Sequence, residues 1–74
     1  MKNKPRKKIL VSFGEQVKQL RKKQKITQSQ LAFEVGLSRE QICRIERGKK
    51  NIVLETALAL SVGFMIKLKE LFDF

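Results

Sequence analysis

Apolar positions recur at helical spacing along most of this chain. No stretch shows the period of two that marks a strand. Phe13, Val17, Leu20 and Gln24 fall in one narrow stripe at about 100° per residue. That stripe predicts a first helix from Ser12, as N-cap, to about Gln24. Arg21 lies at the edge of the stripe, and Lys18, Lys22 and Lys23 lie outside it. Thr27 opens a second helix, with Gln30 three residues on to complete a capping box. Leu31, Ala32 and Val35 form its buried side, and Phe33 falls on the outer side, expected to lie over a neighbouring loop or stem. Gly36 ends this helix at a corner that needs positive φ, and Leu37 drops inward. Ser38 and Gln41 repeat the capping box for a third helix, from Arg39 to about Arg47, stopped by Gly48. A fourth helix is expected over about Leu54 to Phe64, its stripe being Leu54, Ala57, Leu58, Ser61 and Phe64. A short fifth piece from Leu68 to Phe72 presents Leu68, Leu71 and Phe72. Five short helices joined by tight corners make an all-α domain.

The third helix has two unlike sides. Ile42 and Ile45 share one, which defines the inner face. Arg39, Glu40, Arg44 and Arg47 hold the opposite side, with the small thiol of Cys43 among them. Arginine can grip guanine O6 and N7 with a bidentate fork, and glutamate can accept from cytosine N4. A helix of this width fits the DNA major groove. A merely solvated face would be charged too, so the row alone leaves both readings open. The corner before it adds weight, because helix, glycine turn and second helix form the helix-turn-helix plan. Gln28, at the start of the first helix of that pair, is placed to bind a phosphate. Arg47, Lys49, Lys50 and Asn51 follow the reading helix and are placed for the next phosphates.

Charge points the same way. The chain has 74 residues, with 17 Lys and Arg against 7 Asp and Glu, a net charge of +10. A balance so basic implies a polyanionic partner: DNA, RNA or an acidic membrane surface. Residues 1–8, MKNKPRKK, concentrate five positive charges with no acid, which predicts a flexible basic arm ahead of a domain spanning 9–74. The single cysteine, Cys43, excludes an intrachain disulfide and suits a reducing compartment. Its thiol has two readings: a space-filler beside a thymine methyl, or a group whose oxidation would add bulk against the bases. No apolar run reaches the ~18 residues of a membrane span, and the basic start leads into no signal peptide. A cytoplasmic location is expected. The chain has no histidine, no phosphate-cradling glycine loop and no metal-ligand cluster. Neither an enzyme nor a cofactor or metal site is expected.

"LRKKQKITQSQLAFEVGLSREQICRIERGKKN" and its continuation "LETALALSVGFMIKLKELF" resemble the phage-repressor type of helix-turn-helix, the family of Cro and lambda repressor. The resemblance covers about residues 13–72. It implies five α-helices, with the third reading an operator, and a sequence-specific regulator of transcription. Members of the family usually bind pseudo-palindromic DNA as dimers. Some are controller proteins of restriction–modification systems and some are antitoxins, so a protein partner such as a toxin is an alternative. Carried onto this chain, the resemblance assigns base reading to Arg39, Glu40 and Arg44, with Cys43 beside them. It assigns phosphate contacts to Gln28, Arg47, Lys49 and Asn51. It also joins Arg21 to Glu46 by an ion pair between the first and third helices, and each residue sits at the edge of an apolar stripe. Met65 and Lys67 depart from the pattern, standing where a Gly or Asn and a Ser or Thr are common. At the C-terminal end, "VGFMIKLKELFDF" holds more large apolar side chains than a domain this small can bury. A homodimer interface through Met65, Ile66 and Phe74 is therefore expected.

Overall fold

The computed structural model describes residues 6–74, among which every regular element is helical. The helices are α1 (Arg6–Lys23), α2 (Gln28–Val35), α3 (Arg39–Glu46), α4 (Leu54–Phe64) and α5 (Leu68–Leu71).

α1 starts earlier than its stripe predicts. Ser12 therefore lies inside the helix instead of capping it, and Arg6, Lys7 and Lys8 ride on its first turns instead of in an arm. The remaining arm positions, 1–5, lie outside the described residues. Two causes extend the helix. Nothing from Arg6 to Phe13 breaks it, since Arg, Lys and Leu are good helix formers. Ile9 and Leu10 also have apolar neighbours, facing Ile52, Val53 and Leu54 across a shallow groove.

Both capping boxes form. Thr27 Oγ1 accepts from the Gln30 N–H at 3.0 Å, and the Gln30 side chain accepts from the Thr27 N–H at 2.7 Å. Ser38 and Gln41 repeat this at 3.1 and 2.9 Å. These bonds satisfy donors that a helix start leaves open, and each cap is worth about 1 kcal/mol.

The ends of α1 to α4 share one device. After α1, Lys25 N–H reaches Lys22 O and Ile26 N–H reaches Arg21 O, with Lys25 left-handed at φ 58°. The same paired bonds close α3 at Gly48 and α4 at Met65, and the Leu37 N–H to Ala32 O bond closes α2 around Gly36. In this Schellman geometry the residue after the left-handed one turns back toward the helix. Here Ile26, Leu37 and Ile66 occupy that place, and all three pack against the core. Met65 thus does the work of the Gly or Asn it replaces, at φ 59°, while 91% exposed. A side chain in that conformation costs roughly 1 kcal/mol relative to glycine. Met65→Gly should raise the unfolding free energy of the isolated chain by about that amount, measured in urea. A fall would show that Met65 makes a contact that outweighs its backbone strain. Lys67, at the N-cap of α5, makes no side-chain cap.

The core joins Phe13 and Val17 of α1, Leu31 and Ala32 of α2, and Ile42 and Ile45 of α3. α4 adds Ala57, Leu60 and Phe64, and α5 adds Leu71. The buried face of α4 is rotated from the one its spacing suggested: Leu60 is inside, while Leu54 and Leu58 are exposed. Two amides brace the bundle. Gln24 Nε2 donates to Phe64 O at 2.8 Å, and Gln16 Nε2 donates to Glu70 O at 2.9 Å. The ring of Phe72 stacks at 5.2 Å on Phe13. Phe33 covers no loop or stem: it is 87% exposed on the outer side of α2.

Candidate nucleic-acid interface

α3 is anchored at both ends, and that decides what its outer face can do. At its start the Ser38 capping box fixes the first turn. Along its inner side Ile42 and Ile45 are sealed in the core. At its end Glu46 is buried and held by three groups. Arg21 Nε donates to Glu46 Oε2 at 2.6 Å, and Arg21 Nη2 donates to Oε1 at 3.1 Å. Gln28 Nε2 donates to the same Oε1 at 3.0 Å. Arg21 Nη1 also caps the chain turn by donating to Ile26 O at 3.0 Å. The pair is nearly dry, with side-chain exposures of 12% for Arg21 and 3% for Glu46. Hydrogen bonding to Glu46 raises the Arg21 pKa above its ordinary value, opposing the desolvation that would lower it. One carboxylate therefore ties the end of α3 to α1 and to the first residue of α2.

With its inner side fixed, α3 presents Arg39, Glu40 and Arg44 to solvent, with Cys43 half-buried between them. Arg47, the C-cap of α3, is exposed beyond it. The following turn brings Lys49 and Asn51 to the surface and leaves Lys50 half-buried. The Lys49 N–H is committed to Arg44 O at 2.9 Å, which fixes where this basic loop leaves the helix. Gln28 is half-buried, and one N–H of its amide belongs to Glu46. That link was not foreseen in the sequence, where Gln28 reads as a phosphate ligand alone. An amide nitrogen carries two N–H groups, so the second remains for a ligand. No local spacing could signal the link, because it joins residues 18 apart.

At the C-terminal end the expected contact residues separate. Met65 is almost wholly exposed and Phe74 partly so. Ile66 instead packs against the core, drawn in by the turn that Met65 opens. Among the described residues there is no group of His, Cys, Asp and Glu that could hold a metal ion. No described helix is long and apolar enough to cross a membrane.

α2, the left-handed corner at Gly36 and α3 make a helix, a turn and a second helix, the helix-turn-helix plan. The helix-turn-helix family matches residues 17–71 of this chain. The chain belongs to the helix-turn-helix transcriptional regulators. Two curated relatives of this regulator carry the name control protein. C.BamHI of Bacillus amyloliquefaciens is 39% identical over 67 residues, which cover 89% of this chain and 83% of that protein. C.MunI of a Mycoplasma species is 38% identical over 66 residues, covering 88% and 89%. Among solved structures, the restriction-modification controller protein C.AhdI from Aeromonas hydrophila superposes with a TM-score of 0.82 at 37% identity. That match covers 84% of this chain and 94% of C.AhdI. The five-helix order of the regulator is therefore that of its solved relative.

Proposed function

We propose that this regulator is a controller-type protein. It binds a pseudo-palindromic operator as a homodimer, with α3 of each copy in the major groove. The observation that carries the reading is the outer face of α3, with Arg39, Glu40 and Arg44 exposed on a helix fixed from behind by Arg21 and Glu46. The names of C.BamHI, C.MunI and C.AhdI support the controller role. Arg39 and Arg44 act as guanine forks, Glu40 accepts from a cytosine amino group, and Cys43 lies against a thymine methyl. The free N–H of Gln28, with Arg47, Lys49, Lys50 and Asn51, holds the backbone phosphates and sets the register.

Selection of bound duplexes from a random library tests this reading and yields the operator. On the selected site, Arg39→Ala and Arg44→Ala should each cost about 1–3 kcal/mol and relax discrimination at particular base pairs. Lys49→Ala should weaken all sequences alike and flatten the salt dependence. If both arginine variants kept the sequence preference of the wild type, α3 would not be the reader.

The dimer rests on α4. This helix is apolar nearly all round, the mark of an element covered on two sides. Its inner side is in the core, but Leu54, Leu58 and Val62 form an exposed row that Met65 continues. A second copy laid on that row by a twofold axis would pair two reading helices, and a palindromic operator needs them ~34 Å apart, one turn of DNA. Val62, 75% exposed, is the site for a clean test, since Ile66 has a core role. Val62→Glu should fold normally, sediment as a monomer and bind a full operator at least ~10-fold more weakly. A variant that still dimerised would move the interface elsewhere.

A further inference from the structure

The proposed function leaves unused the cations at the start of α1, and their placement gives them a partner. α1 runs past the exit of α3 in a fixed register. Arg21 meets Glu46, Gly14 lies against the backbone of Ile45 and Glu46, and Val11 lies against Gly48. An added Cβ on Gly48 would come within 2.8 Å of both Cα and Cγ2 of Val11, so helix and loop are in direct contact there. Gly48 sits between Arg47 and Lys49. Lys7 and Lys8, four and three residues before Val11, share its side of the helix. All three line one shallow surface depression with Ser12. Arg6 points elsewhere, about 140° from Val11 around the helix axis.

We infer that Lys7 and Lys8 extend the basic loop after α3 into one phosphate-binding strip, which grips the DNA backbone outside the bases read by α3. The inference rests on the DNA-binding reading above. Three observations favour a duplex backbone as occupant. The strip is wholly cationic, made of Lys7, Lys8, Arg47, Lys49 and Lys50, with no acid among them. It is continuous with the loop that already faces phosphates in the proposed complex. It also leads away from Arg39, Glu40 and Arg44, since α1 continues about one turn, or roughly 6 Å, past Gly48. Neither lysine side chain makes a hydrogen bond or ion pair among the described residues. Lys7 and Lys8 are exposed, and α1 has no acid in its first turn, so cations there oppose the helix dipole and one another.

The test uses the selected operator as two duplexes, one trimmed to the palindrome and one extended by several base pairs on each side. The wild type should bind the extended duplex at least about fivefold more tightly at low salt. Its salt slope should steepen by about 0.9 for each phosphate gained. The double variant Lys7→Gln with Lys8→Gln should lose most of that gain, while Arg6→Gln, equal in charge to one of the two changes, should keep it. The double variant should melt at the wild-type temperature or above it. A double variant that keeps the full gain overturns the strip. So does one that melts lower, since the lysines would then be structural. Equal losses in Arg6→Gln and the double variant overturn it too, by showing a diffuse field instead of a strip. A wild type that does not prefer the trimmed operator over a scrambled duplex refutes base reading itself, a distinct failure.

Discussion

Gly14→Ala should cost the domain a large share of its stability. On helix propensity alone the change should stabilise α1 by up to about 1 kcal/mol. Packing reverses the sign. Gly14 is buried where α1 crosses the end of α3, and an added methyl would sit against the carbonyl oxygen of Ile45. It would also lie 2.7 Å from Glu46 O and 2.9 Å from Glu46 C. These are backbone atoms of a helix that the core and the Arg21–Glu46 pair hold in place, so no side chain can swing aside. The methyl must push α1 off α3, and the core between Phe13, Val17 and Ile45 opens with it. A cost of at least ~3 kcal/mol follows, at the upper end of overpacking penalties. For a domain this small that is a large share of its stability. Urea unfolding followed by circular dichroism measures it, and a loss below ~1 kcal/mol would mean that the two helices can separate cheaply.

The second large effect is expected from Glu46→Ala. The substitution strands the Arg21 guanidinium in a nearly closed site and releases the Gln28 amide. Breaking one side of such a pair costs about 3 kcal/mol, much of it the penalty of an unpaired buried charge. Replacing both partners, as Arg21→Met with Glu46→Leu, should return most of the lost stability. DNA affinity should not return with it, because α3 would no longer be tied to α1 and α2. The comparison separates holding the fold from aiming the reader. If the double variant bound the operator as tightly as the wild type, the pair would be structural only. The arginine half of the pair does not act as a pH switch. Its folded pKa is raised, so the stability it contributes is fully present below the ordinary arginine value and lost only in strongly alkaline solution.

Much of this was readable in the sequence, and the parts that were not share a cause. Caps and stops are local: Thr27 with Gln30, Ser38 with Gln41, and Gly36 act within four residues, and each forms where the spacing placed it. The inner side of α3 was also legible, since two isoleucines among charged neighbours leave one choice of face. α4 misled because its apolar residues surround it. Several rotations bury a similar area, and only the neighbouring helices selected Leu60 over Leu54 and Leu58. The start of α1 misled because its charges masked the groove partners of Ile9 and Leu10, which come from about 40 residues downstream. The role of Gly14 and the Gln28–Glu46 bond depend on how α1 and α2 cross α3, and no local pattern encodes a crossing.

The left-handed corners have a consequence for how fast this molecule comes into being. Each of the first four helices carries its own stop, written in bonds that span five residues or fewer, and three of the corners also turn an apolar side chain inward. A nascent helix can therefore end, reverse and begin its core in one local event, before distant partners arrive. Search over long loops, the step that slows sheet proteins, contributes little to such a chain, and helical domains of this kind reach their native state in microseconds to milliseconds. Translation, at ~5–20 residues per second, takes far longer. Newly made chains thus fold almost as soon as they are released, and folding adds little to the time that synthesis takes.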